Sequence, residues 1–153
     1  MSNKFKRTKL GFTVIELIIV ISIVGVVASA SFAMFSENRK KAVLNDAQAS
    51  VINALEQARS RAATGVGTGN HGIYITDKKI YPCKGNPCAT DTENFIELKP
   101  FVFASTTNLS QTIIFNRLSA TSSADATITL EYKIGITTIA TTVSITQDGI
   151  IKK

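Results

Sequence analysis

Cysteine is scarce in this 153-residue chain, which has only two. That number excludes a disulfide-dense scaffold. Proline is nearly as scarce, with three in all and none between Phe12 and Ala63. A helix over that stretch would meet no proline break. Histidine occurs once, at position 71. No Ser-His-Asp set and no paired carboxylates stand out, so catalysis has no candidate residues and an enzyme is not expected. Neither a cofactor, a metal nor a small-molecule substrate is implied. Charged residues make up 18% of the chain and hydrophobic ones 44%, a balance that argues against disorder. The length points to one domain, or one domain with an appendage.

Acid is missing from residues 1–11, which carry Lys4, Lys6, Arg7 and Lys9. Residues 12–36 have one ionisable group, Glu16, and from Leu17 to Ser36 there is no charge at all. The head, residues 65–153, has eight bases against seven acids. The formal net charge of +6 would invite a nucleic-acid reading, but two thirds of it lies in the first eleven residues. A basic globular surface is thereby largely excluded. Twenty uncharged helical residues cover about 30 Å, the hydrocarbon thickness of a bilayer. Residues 12–36 are therefore expected to span a membrane, with the preceding bases holding the N-terminus in the cytoplasm. Arg39, Lys40 and Lys41 on the far side weaken that orientation signal.

Beyond Glu37 the chain turns polar without losing helical periodicity. Leu44, Ala47, Val51, Leu55, Ala58 and Ala62 recur at spacings of three and four, one face of an amphipathic helix. Asp46, Gln48, Asn53, Glu56, Arg59 and Arg61 are read as lying largely off that face. Gly65 stands where a helix-ending glycine belongs. One continuous helix over about 12–64 is expected, its first half in lipid or against other helices and its second half packed on a globular head. The head opens with a glycine-rich connector, Gly65 to Gly72, read as a flexible hinge. Strands are expected at 73–75 and 79–81 around a turn, and at 95–98 and 112–115. Others are expected at 127–133 and 137–146, with a short one at 150–151 after Asp148-Gly149. The fold class is α+β: a long N-terminal helix, membrane-embedded and then amphipathic, packed on an antiparallel β-rich head. The division is 1–11 leader, 12–64 helix and 65–153 head.

Glu16 is the informative residue. A carboxylate deep in an apolar helix costs on the order of 2.5–3.5 kcal/mol on insertion scales. Its run, Lys9-Leu10-Gly11-Phe12-Thr13-Val14-Ile15-Glu16-Leu17, resembles the N-terminus of type IV pilins and pseudopilins. The resemblance covers about the first 35 residues. It implies a basic leader cut between Gly11 and Phe12 by a membrane prepilin peptidase, and N-methylation of Phe12. It also implies that Glu16 serves as an assembly charge. The new α-amino group at Phe12 would pair with Glu16 of a neighbouring chain and set the stagger of the two helices. Gly25 matches a common glycine of that helix. Many members carry a proline at the position of Ala33, so this helix is expected to resist local unwinding. The run Gln57-Ala58-Arg59-Ser60-Arg61-Ala62 resembles minor pilins and H-type pseudopilins, which implies a role in starting assembly at the tip of a pilus or secretion pseudopilus. The implied partners are other pilins, the prepilin peptidase and the inner membrane. The head would lie outside the cytoplasm.

Two rival readings stand beside this one. Ala28-Ser29-Ala30 fits an ordinary signal-peptide cleavage site after Ala30, although Glu16 would then sit inside its apolar core. Lys78, Lys79, Lys84, Lys152 and Lys153 are candidate DNA contacts for a DNA-uptake pilin, against the alternative of plain solvated lysines. Cys83 and Cys88 form a candidate disulfide, or, less favoured for want of ligands, a metal or redox pair. His71 is read as a loop residue.

Overall fold

The structure, a computed structural model, describes residues 12–91, 93–107 and 111–153, with the backbone alone for residues 30–34. The leader and Gly11 lie outside the described residues. Helix α1 runs Val14–Ala63. Nine strands follow: β1 His71–Ile75, β2 Lys79–Lys84, β3 Ala89–Thr90, β4 Ile96–Glu97, β5 Val102–Thr106, β6 Thr112–Phe115, β7 Ala126–Ile134, β8 Thr137–Ile145 and β9 Ile151–Lys152. The protein is thus α+β, with an N-terminal helix and antiparallel sheets. Its compact units are residues 1–38 and 39–153.

In the second unit the helix stripe supplies one wall of the core. Leu44, Ala47, Val51, Leu55, Ala58 and Ala62 are all buried there, together with Ala54. They pack with Ile73, Ile75, Ile80, Ile113 and Phe115 of one sheet and Val102, Ile128, Leu130, Val143 and Ile145 of the other. The alternation of β7 and β8 sends Ile128, Leu130 and Tyr132, then Val143 and Ile145, into this core, as a half-buried strand requires. The first sheet has the order β3-β2-β1-β6, with β4 also paired to β2; the second has the order β5-β7-β8-β9.

Gln48 departs from the expected pattern. It is buried rather than turned away, and its Nε2 donates to Thr141 Oγ1 at 3.1 Å and to the Thr142 carbonyl at 3.0 Å. Four residues after Leu44 and three before Val51, it belongs to the stripe by angle. Its polar group is admitted because the β8 backbone satisfies it.

The connector also departs from expectation. Gly65, at φ 65°, closes α1: its N–H donates to Ala62 O and that of Val66 to Arg61 O, a Schellman ending. The segment beyond is tied down at several points and is no free hinge. Arg117 donates to the carbonyls of Gly65 and Gly67. The Arg117 amide donates to Asn70 Oδ1, and Leu118 N to Ala62 O. His71 is not a loop residue either; it is buried in β1 with Nε2 at 2.7 Å from Val66 O. Because a carbonyl only accepts, Nε2 carries the proton.

Gly72 is required by close approach: a Cβ there would stand 2.2 Å from the Ile113 carbonyl oxygen on β6. Strands β3 and β5 were not expected from the sequence, and β9 begins one residue later than expected. The turn before β9 takes in Ile150, whose carbonyl accepts from Thr146 N.

Candidate assembly segment

In the unit 1–38, a change of backbone at Thr13 sets the start of α1. Thr13 precedes the first helical residue, and its Oγ1 accepts from the Glu16 amide at 3.3 Å. That is the N-cap arrangement, and Thr-x-x-Glu is the sequence of a capping box. Glu16 therefore lies in the first turn, where the partial positive charge of the helix N-terminus favours a carboxylate. The sequence carries this cap signal in Thr13, three residues before Glu16.

From Phe12 to Phe35 the described large apolar side chains are all half exposed or more, Val20 least at 50%. Phe12 is 85% exposed, Val14 76%, Ile15 68% and Val26 71%. An apolar helix surface left this exposed is of the kind that lipid or other helices cover. Its hydroxyls are satisfied locally: Ser22 Oγ donates to Ile18 O and Ser29 Oγ to Val26 O, each at 2.8 Å. Such back-bonding suits a surface with no water at hand. Among the described residues no helix is long and apolar enough to cross a membrane.

The head holds the remaining candidates. Cys83 on β2 and Cys88 beyond it form a disulfide, with Cα atoms 5.3 Å apart, within the usual range for such a bond. The five lysines are not gathered into one site. Lys78, in the β1–β2 turn, lies with Nζ 5.3 Å from the Phe103 ring centre, and Lys79 with Nζ 3.9 Å from that of Phe95. Both carry cation–π contacts. Lys84 ends β2, whereas Lys152 lies on β9 of the other sheet with Lys153 after it. No cluster of metal-ligating side chains occurs among the described residues.

Asp91 is a further polar feature that the sequence did not mark. The Asn94 side-chain amide, 2.7 Å from Oδ2, and the backbone amides of Glu93 and Asn94 hold its carboxyl below the usual aspartate value.

Comparison with known families matches residues 6–32 to the prokaryotic N-terminal methylation motif. This is the prepilin motif of type IV pilins and pseudopilins, and the chain carries it. It takes in Gly11, Phe12, Glu16 and Gly25. Comparison with curated proteins and with solved structures gave no match.

Proposed function

We propose that this chain, which carries the prepilin motif, is a minor pilin or pseudopilin, a structural subunit rather than an enzyme. The observation that carries the proposal is the motif at residues 6–32. The exposed apolar surface of the segment that follows supports it.

A prepilin peptidase cuts between Gly11 and Phe12 and the new amino group of Phe12 is methylated. Before that step the protein spans the inner membrane once through residues 12–36, with its N-terminus cytoplasmic and its head outside. This placement rests on the twenty uncharged residues from Leu17 to Ser36. Afterwards the helix bundles with those of other pilins in a pilus or a type II secretion pseudopilus, and the subunit helps to start assembly at the tip. Burial among neighbouring helices keeps the apolar surface from water once it leaves lipid. The Phe12 amino group of one chain meets Glu16 of the next.

N-terminal sequencing and intact mass of the mature protein test the reading. The expected start is N-methylated Phe12. A start at Ser31 means cleavage after Ala30 as an ordinary signal peptide, and removes the proposal. Substituting Gly11 by leucine is expected to leave the leader in place.

A further inference from the structure

In the head unit, a groove of about 600 Å³ opens between the last turns of α1 and the β2–β4 region. Pro82, Phe95 and Ile96 give its lining an apolar part beside the disulfide of Cys83. The lining also includes charged groups. Arg61 from α1 and Lys84 from β2 both line the groove, and neither has a carboxylate partner among the described residues. Asp91 also lines the groove, and its carboxylate offsets one of the two bases, so the lining suits a single negative charge better than several. Its oxygens accept from the Asn94 side chain and from two backbone amides of its own loop. His71 Nε2 is bound to Val66 O. The groove therefore offers two bases without ion-pair partners among the described residues, one acid held by its own loop, and apolar residues in the same lining.

Such a surface complements a single anionic group carried on an apolar body. A polyanion fits poorly. Asp91 and Glu93 stand on the β3–β4 loop and Glu97 on β4, so a chain of phosphates would meet carboxylates as it ran past the two bases. An arginine fork pairs well with one carboxylate. We infer that this groove binds a carboxylate-bearing apolar peptide group of a partner protein, such as a chain terminus ending in an aromatic or aliphatic residue. Arg61 and Lys84 hold the carboxylate, and Phe95, Ile96 and Pro82 cover the side chain. The inference is independent of how the N-terminal segment is processed or assembled.

The test is a nuclear magnetic resonance titration of the full chain in detergent micelles. N-acetyl-phenylalanine is the probe and its carboxamide the uncharged control. The acid is expected to shift resonances of Arg61, Lys84, Asn94 and Ile96 saturably, and the carboxamide to bind about tenfold more weakly or worse, the equivalent of one lost charge pair. Arg61→Gln and Lys84→Gln should each weaken the acid by about tenfold, while Lys152→Gln should not. Both groove positions are exposed, so the variants are expected to keep the parent spectrum elsewhere. Equal binding of acid and carboxamide overturns the inference, as does the absence of any shift at the groove. A DNA duplex that moves the same resonances at lower concentration overturns it too, in favour of a phosphate polymer.

Discussion

Gln48 shows how much one side chain can carry in the head. Its amide satisfies the Thr142 carbonyl beside the core. Gln48→Ala leaves that acceptor without its donor and opens a gap on the stripe. The expected loss is about 1–3 kcal/mol, read as a lower denaturation midpoint for the head. Judged by polarity alone, Gln48 is expected largely off the stripe. The angular position was correct for burial, but the partner lay 93 residues away, where no local pattern reaches. Arg117 is silent in the sequence for the same reason, its carbonyl partners on Gly67 and Gly65 lying 50 and 52 residues away. Asp91 makes its loop sensitive to acid. Its folded-state pKa lies below the ordinary 3.8, so its stabilisation is complete above that value. It is lost as pH falls through the lower folded value, when the carboxylate protonates. Amide exchange at Glu93 and Asn94 should quicken over that acidic window and not above it. Exchange that ignores pH there, after allowance for intrinsic rates, would show that the Asp91 loop is held by something else.

At the scale of elements, α1 divides into two kinds of position. Leu55 is fully buried against both sheets, and Ile19 is 54% exposed. Leu55→Ala should destabilise the head by about 2–5 kcal/mol. Ile19→Ala should leave head stability within about 0.5 kcal/mol. Thermal unfolding of both variants checks the contrast, and a large loss from Ile19→Ala would mean that its side chain has a structural partner. The stripe was legible because 3.6-residue periodicity needs no knowledge of the partner. β7 and β8 were legible because one face is apolar and the other rich in threonine. β5 was not. Val102 and Ala104 face the core, but Phe103 lies on the opposite face under Lys78 and Lys133, so apolar residues occupy both faces and the period-2 signal disappears. The pair Cys83–Cys88 closes a short loop beside β3. Replacing both by serine should cost about 2 kcal/mol by the loop-entropy model, seen in the same melting experiment.

On the scale of the whole molecule, charge and apolar surface are distributed for two different tasks. Under the proposed cleavage after Gly11 the net charge of +6 would fall to +2 in side chains, leaving little long-range pull on a polyanion. What remains distinctive is an apolar segment with one carboxylate, and the structure gives that carboxylate a second explanation. Glu16 sits three residues after the Thr13 cap, where it can serve the helix N-terminus without any partner chain. Substitution separates the two roles. Glu16→Gln keeps a side-chain oxygen able to accept in a capping box but removes the charge, whereas Glu16→Ala removes both. If Glu16 pairs with the Phe12 amino group of a neighbour in an apolar setting, losing one partner leaves an unpaired charge at about 3–5 kcal/mol. Both variants should then insert in the membrane and be processed yet fail to enter the fibre, measured by subunit content of sheared fibres. If the cap is the whole of its role, Glu16→Gln should assemble normally and Thr13→Ala should be as defective as Glu16→Ala. Normal incorporation of Glu16→Gln would refute the interchain pair, because the one property it lacks is the charge on which that pair depends.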